Sequence, residues 1–195
     1  MKQPNRAFDP ITLEVLRNAL EATAQEMGAV LKLTSFSPNI KERMDASCAI
    51  FDAKGQLVAQ AEHVPIHLGS MLKAVAPTIA AVGKMDADDI VIVNDPFIGG
   101  AHLPDITLIA AVHSQTNLIG YVATRAHHSD VGGMEPGSMP GQSTEIYQEG
   151  IIIPPIRLYV RGELQADVMR LILANVRTAA ERRGDLNAQV AAINI

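Results

Sequence analysis

The chain has 195 residues, 48% of them hydrophobic and 19% charged, which is enough apolar material to fold one domain around a sizeable core. Its formal net charge is −5 and its basic residues are scattered. This pattern excludes sequence-independent binding of nucleic acid, because such binding needs clustered lysine and arginine.

The compartment is indicated by what the sequence lacks. Its longest apolar runs are too short to span a bilayer, and no apolar run follows a basic start as in a secretory signal. The single cysteine, Cys48, excludes an internal disulfide and fits a reducing environment. We therefore expect a cytoplasmic protein without membrane or nucleic-acid partners.

The N-terminal part predicts helix, hairpin and helix. Residues 9–33 open with an N-capping aspartate and a proline, and their apolar side chains recur every three or four positions. We expect this long helix to pack on a sheet. Residues 47–59 predict a β-hairpin, and residues 66–82 predict a helix that Pro77 kinks or divides.

The rest of the chain predicts strands, a loop and helices. Three apolar runs predict strands, over residues 90–93, 106–112 and 118–123. Residues 129–150 are rich in glycine and predict a long active-site loop, and helices follow over 165–175 and from near Thr178. These elements predict an α+β fold, with the long helix packed on a mixed or antiparallel sheet with hairpins.

Two short segments beside the last two predicted strands carry candidate metal ligands. Residues 99–105 (GGAHLPD) place His102 and Asp105 in a loop that enters one strand, and His127 follows the next strand. In an antiparallel hairpin the start of the first strand lies beside the end of the second. The topology therefore predicts that the three side chains are neighbours.

Two imidazoles and one carboxylate suit a divalent ion such as Zn, Mn or Fe, and three protein ligands leave positions open for chemistry. The ion would act as a Lewis acid or generate a bound hydroxide. Alternatively, these loop side chains only cap turns and bond to the backbone. The residues alone favour neither interpretation.

Neighbouring polar residues are candidates for further roles. On an extended backbone His128 points away from the ligand before it, so we expect it to support that ligand or to face the substrate. Asp130 and Asp95 are placed to orient ligand imidazoles. His67 follows His63 without the metalloprotease pattern, and we expect it on a pocket wall or at a helix start. The candidate catalytic residues are His128, Asp130 and His67.

Two further observations concern the surroundings of the site. The polar residues 41–47, which include Asp45, predict either a solvated turn or charged groups that point at a pocket. The chain contains neither a phosphate-binding loop nor a dinucleotide-binding pattern, so it shows no standard site for ATP.

Seven motifs closely resemble the hydantoinase B family, and the resemblance covers essentially the whole chain. They are residues 9–15 (DPITLEV), 37–43 (SPNIKER), 63–71 (HVPIHLGSM), 94–105 (NDPFIGGAHLPD), 125–133 (RAHHSDVGG), 136–138 (PGS) and 144–150 (TEIYQEG). The family includes the B subunit of ATP-dependent N-methylhydantoinase, the second half of 5-oxoprolinase and the large subunit of ketone carboxylases.

The resemblance implies a component of an ATP-dependent amidohydrolase that opens a cyclic amide such as a hydantoin ring. It also implies a hetero-oligomer with a hydantoinase A-type subunit that handles ATP. In the acetone carboxylase branch of the family, a His-x-x-Asp pair and a later histidine bind a metal. The matching positions here are His102, Asp105 and His127.

Two alternatives remain beside the amidohydrolase. The chain is either a subunit of an ATP-dependent ketone carboxylase or a non-catalytic chain that docks the A-type partner. Because members of the family run to several hundred residues, we expect residues 1–195 to form a single N-terminal portion of a hydantoinase B-type domain, either as part of a longer protein or as a truncated gene product, and to be inactive without the partner.

Overall fold

The computed structural model describes residues 9–62 and 66–195, without the side chains of residues 62 and 66–68. Its helices are α1 (Pro10–Thr34), α2 (Pro38–Lys41), α3 (Ile66–Val82), α4 (Ala166–Ala174) and α5 (Ala179–Ile193). Its strands are β1 (Ala46–Asp52), β2 (Leu57–Glu62), β3 (Ile90–Val93), β4 (Asp105–Ser114), β5 (Asn117–His127), β6 (Ile156–Val160) and β7 (Glu163–Leu164).

In the described part of the chain, the strands form one seven-stranded antiparallel sheet in the order β2-β1-β5-β4-β3-β6-β7. The predicted hairpins are present as β1–β2 and β4–β5. The predicted α+β fold is therefore confirmed, and its sheet is antiparallel.

The helices cover both faces of this sheet. On one face, α3 packs against strand residues through the cluster Met71, Val75, Phe51, Val91, Ile109 and Tyr121. On the other face lie α1, α4 and α5, through residues that include Met27, Leu31, Ile106, Leu108, Met169, Ile172, Leu186 and Ala188. Among the described helices, none combines the length and the apolar character needed to cross a membrane.

The two long helices show how local sequence sets their course. Helix α1 begins as predicted, because the Asp9 carboxylate accepts hydrogen bonds from the backbone of Ile11 and Thr12. Helix α3 is not divided at Pro77, which corrects one of the two outcomes predicted there. The carbonyl of Lys73, which proline cannot bond, instead lies close against Gly99.

The central hairpin is longer at the site end than the sequence predicts. Asp105 and His127 were expected in the loops beside the strands, but both lie within them and are direct cross-strand partners. On the side of β1, the backbone N–H of His127 donates to the carbonyl of Asp45, 2.9 Å away. Strand pairing itself therefore sets the separation of two candidate ligands.

Candidate metal centre

His102, Asp105 and His127 converge at one end of the central hairpin, on the face that α3 covers. His102 Nδ1 lies 2.8 Å from Asp105 Oδ2, and His127 Nδ1 lies 3.2 Å from Asp105 Oδ1. One potential ligand atom from each residue lies within 4.8 Å of the others. The structure thus brings the three predicted ligands together, while their binding of a metal stays a prediction.

The carboxylate at the centre of this group is almost fully buried. Asp105 is 1% exposed, whereas the side chains of His127 and His102 are 13% and 36% exposed. The hydrogen bond that His102 donates to the Asp105 carboxylate raises the pKa of His102 against the opposing effect of burial. The more open side of the cluster is therefore the side of His102.

Asp45 lies close enough to this cluster for its charge to act on His102. It is half-buried, and its negative charge adds to the increase in the pKa of His102. Of the two interpretations of residues 41–47, the structure favours the one that places a charged group near the site. The turn before β1 therefore contributes both a backbone contact to His127 and an electrostatic contact to His102.

Two glycines let the segment before His102 lie tightly against its surroundings. Gly99 has φ +97°, and a Cβ there would lie 2.3 Å from the Cα of Ala74 in α3. A Cβ at Gly100 would lie 2.5 Å from the carbonyl oxygen of Asn94. Side chains at both positions are thus excluded by backbone on two sides.

Asn94 and Asp95 form hydrogen bonds that stabilise the segment around His102. The buried amide of Asn94 donates to the carbonyls of Leu103 and Ile151 at 2.8 and 3.0 Å. Asp95 caps a short 3₁₀ turn by accepting a hydrogen bond from the backbone of Phe97. Asp95 was expected to orient an imidazole, but this contact gives its carboxylate a local role in the turn.

The sequence reasoning missed Arg125, which is fully buried beneath the cluster. Its guanidinium donates to Thr107 Oγ1 at 2.8 Å, to Ser70 Oγ at 2.5 Å and to the Gly99 carbonyl at 3.1 Å. Burial lowers its pKa, and the nearby charge of Asp105 opposes that change. Arg125 thereby joins β4, α3 and the segment before His102. Arg125 could have been found from the sequence, because residues two apart in a strand face the same side of the sheet and Arg125 lies two residues before His127.

His128 does not join the three predicted ligands. It turns to the opposite face of the sheet, where it is fully buried and its Nε2 lies 2.9 Å from Gln189 Oε1 of α5. Burial, with the neighbouring charge of Arg182, lowers the pKa of His128 to about 4. These contacts give His128 a structural role on the α5 side of the sheet, and its predicted catalytic role stays a prediction.

Asp130 is likewise used by the loop that follows β5. It accepts hydrogen bonds from the backbone of Gly132, Gly137 and Arg177, and its Oδ2 lies 2.8 Å from Arg177 Nη1. Those contacts fasten the glycine-rich segment to the residues before α5. Of the third candidate catalytic residue, His67, the structure places the backbone in the first turn of α3, while its side chain lies outside the described residues.

A model of the family described as hydantoinase B/oxoprolinase matches residues 9–195. The chain belongs to this family. As a family member it spans only part of its relatives, at about a third of the length of an uncharacterised protein of Methanocaldococcus jannaschii. The two are 48% identical over 192 residues, which cover 96% of this chain and 34% of the archaeal protein.

Named relatives of this hydantoinase B-type chain include two enzymes. The 5-oxoprolinase of Saccharomyces cerevisiae is 43% identical over 197 residues, which cover 95% of this chain and 15% of the yeast protein. The caprolactamase subunit beta of Pseudomonas jessenii is 37% identical over 188 residues, which cover 96% of this chain and 32% of that subunit.

Solved structures share the fold of the hydantoinase B-type chain. The ATP-dependent caprolactamase of Pseudomonas jessenii superimposes with a TM-score of 0.91 at 36% identity, covering 97% of this chain and 33% of that one. An acetone carboxylase in its nucleotide-free form gives a TM-score of 0.89 at 24% identity, covering 96% and 25%. At that identity the second likeness establishes the fold alone.

Proposed function

We propose that this chain provides the metal centre of an ATP-dependent hydrolase of cyclic amides. The observation that carries the proposal is the convergence of His102, Asp105 and His127. It occurs in a chain 43% identical to a 5-oxoprolinase and 37% identical to a caprolactamase subunit, both named for lactam substrates.

The chemistry of the three side chains fits a divalent ion. Both histidines turn Nδ1 toward the two oxygens of one buried carboxylate, so nitrogen and oxygen donors point into a common region. This mixed set suits Zn, Mn or Fe, which share a preference for imidazole and carboxylate ligands. A bound ion would supply Lewis acidity toward an amide carbonyl or a water molecule.

Residues of this chain would also position the candidate ligands. Asp105 orients both imidazoles, and Arg125 keeps the segment before His102 against α3. His102 is the most exposed of the three, which leaves its side of the cluster as the approach for a substrate. Orientation of this kind lowers the barrier by fixing the reacting groups before reaction.

We assign ATP to a hydantoinase A-type partner in a hetero-oligomer, because this chain has no phosphate-binding loop. An amide is a poor electrophile, and phosphorylation of its carbonyl oxygen by the partner would activate it. The likeness to a caprolactamase whose beta subunit is a separate chain supports an assembly of several subunits.

The test is ATP hydrolysis by the purified complex of this chain with a hydantoinase A-type subunit. Hydantoin, 5-oxoproline or caprolactam should stimulate ATP hydrolysis, whereas acetone with bicarbonate should not. His127→Ala should abolish the stimulation, and His113→Ala, on the same sheet outside the cluster, should retain it. The proposal would be contradicted if acetone with bicarbonate stimulated ATP hydrolysis and the cyclic amides did not. It would also be contradicted if none of these compounds stimulated ATP hydrolysis.

A further inference from the structure

We infer that Gln189 of α5 is a positioning residue that fixes the candidate ligand His127 from the opposite face of the sheet, through His128. The inference rests on the proposed metal site but concerns residues that face away from it. Gln189 and His128 are both fully buried, so their polar atoms depend on partners within the protein.

The hydrogen bonds of Gln189 fix the orientation of its amide. Its Nε2 lies 3.0 Å from the carbonyl oxygen of Ile106 and 3.4 Å from that of Thr124. Carbonyls only accept hydrogen bonds, so the NH₂ group must face them and Oε1 must face His128. Gln189 therefore bridges β4, β5 and His128 from a single position on α5.

The same constraint decides which nitrogen of His128 carries the proton. Gln189 Oε1 only accepts, so His128 must donate from Nε2 across the 2.9 Å contact. This contact with Gln189 on α5 fixes the orientation of the His128 ring.

The backbone connects this ring to the candidate metal centre. The N–H of His128 donates to the carbonyl of Pro104 at 2.8 Å, and the N–H of His127 donates to the carbonyl of Asp45 at 2.9 Å. Pro104 directly precedes Asp105. Movement of His128 would therefore displace the peptide that carries His127 and the residue that precedes Asp105.

Helix α5 has an anchor of its own that keeps Gln189 in place. Asp185 is fully buried, accepts hydrogen bonds from the backbone of Phe36 and Ser37, and lies 2.8 Å from Arg182 Nη2. This anchor lies one turn before Gln189 on the same helix. The geometry of the site on the α3 face thus depends on a helix on the other face.

The experiment compares Zn²⁺ affinity and the absorption spectrum of the Co²⁺-loaded chain at one pH. Gln189→Leu and His128→Leu should weaken Zn²⁺ binding by about 10- to 100-fold, the usual effect of losing a group that orients a ligand, and should alter the Co²⁺ spectrum. His128→Gln keeps an N–H near the Nε2 position and should retain affinity within about threefold.

Leu186→Ala is the matched control on α5. Leu186 is buried in the apolar core, so its truncation should lower the unfolding midpoint by a cavity effect while leaving Zn²⁺ affinity unchanged. If Gln189 only stabilised the fold, Gln189→Leu would likewise lower the unfolding midpoint and leave the Zn²⁺ affinity unchanged. Wild-type Zn²⁺ affinity and Co²⁺ spectrum in Gln189→Leu would overturn the inference.

A second readout separates this inference from the proposed function. In the metal-free chain, ¹⁵N NMR of the histidine rings reports the contact of His127 Nδ1 with Asp105, and Gln189→Leu should shift the His127 signals. If the wild-type chain bound no metal, the proposed function would fail. Unchanged His127 signals in Gln189→Leu would then still overturn the positioning role.

Discussion

At the scale of single residues, the candidate site depends on one carboxylate that serves two imidazoles. Asp105 is buried and lies within 3.2 Å of both Nδ1 atoms, so it keeps the two rings turned toward one region. A carboxylate desolvated in this way is costly unless its partners remain in place. The two imidazoles are therefore the partners that offset the burial of Asp105.

Asp130 provides a stability prediction at the same scale. Burial raises its pKa, but hydrogen bonds from Arg177, Gly132 and Gly137 outweigh burial, so the pKa lies below its ordinary value. The stabilisation is therefore present at neutral pH and lost as the pH falls through the lowered value. We expect Asp130→Asn to reduce the free energy of unfolding by about 1–3 kcal/mol at pH 7, measured with urea.

The control for this variant is Asp167→Asn in α4. Asp167 forms an exposed ion pair with Arg170 and should change the free energy of unfolding by less than about 1 kcal/mol. The difference in the free energy of unfolding between the wild type and Asp130→Asn should become smaller as the pH falls below about 4. If that difference stayed constant below about pH 4, the stabilising role of the ionised Asp130 would be contradicted.

At the scale of elements, alternation along β4 and β5 decides which side chains reach the site. Asp105 and Thr107 share a face with Arg125 and His127, while the residues between them face the other helices. The sequence predicted the hairpin and hence the neighbouring ligands. The predicted strands were too short at the site end, because the apolar runs do not include these buried polar residues.

The contacts that sequence reasoning missed are those between elements distant along the chain. Arg125 meets Ser70 across 55 residues, and His128 meets Gln189 across 61. Local periodicity predicts an element and its buried face, but not which partner a buried polar group will find. The proximity of the three candidate ligands was predictable because they lie in or next to one hairpin, whereas their supporting contacts were not predictable.

Gly99 provides the test of the close approach between α3 and the segment that carries His102. Gly99→Ala should destabilise the protein by about 2 kcal/mol or more, because a Cβ meets backbone at 2.3 Å and φ is positive. At Gly141 an added Cβ would meet no atom within 4 Å beyond its chain neighbours, so Gly141→Ala should change the stability by no more than about 0.5 kcal/mol. Equal unfolding midpoints for the two variants in thermal denaturation would refute the close approach.

At the scale of the whole molecule, one antiparallel sheet lies between the candidate site and the helix α5, which contacts His128. The three candidate ligands lie on the α3 face, and α5 supports His128 from the other. The chain spans 34% of its archaeal relative and 15% of the yeast 5-oxoprolinase. In the proposed function, this chain would hold the metal and a partner subunit would handle ATP.

The most direct test of the central claim is an isothermal calorimetric titration of the metal-free chain with Zn²⁺. The wild type should bind a single ion per chain, and Asp105→Asn should bind it at least about a hundredfold more weakly, since it loses a ligand charge and the group that orients both imidazoles. His113→Ala should bind as the wild type does. Equal affinity in wild type and Asp105→Asn, or no binding by the wild type, would contradict a metal centre at this site.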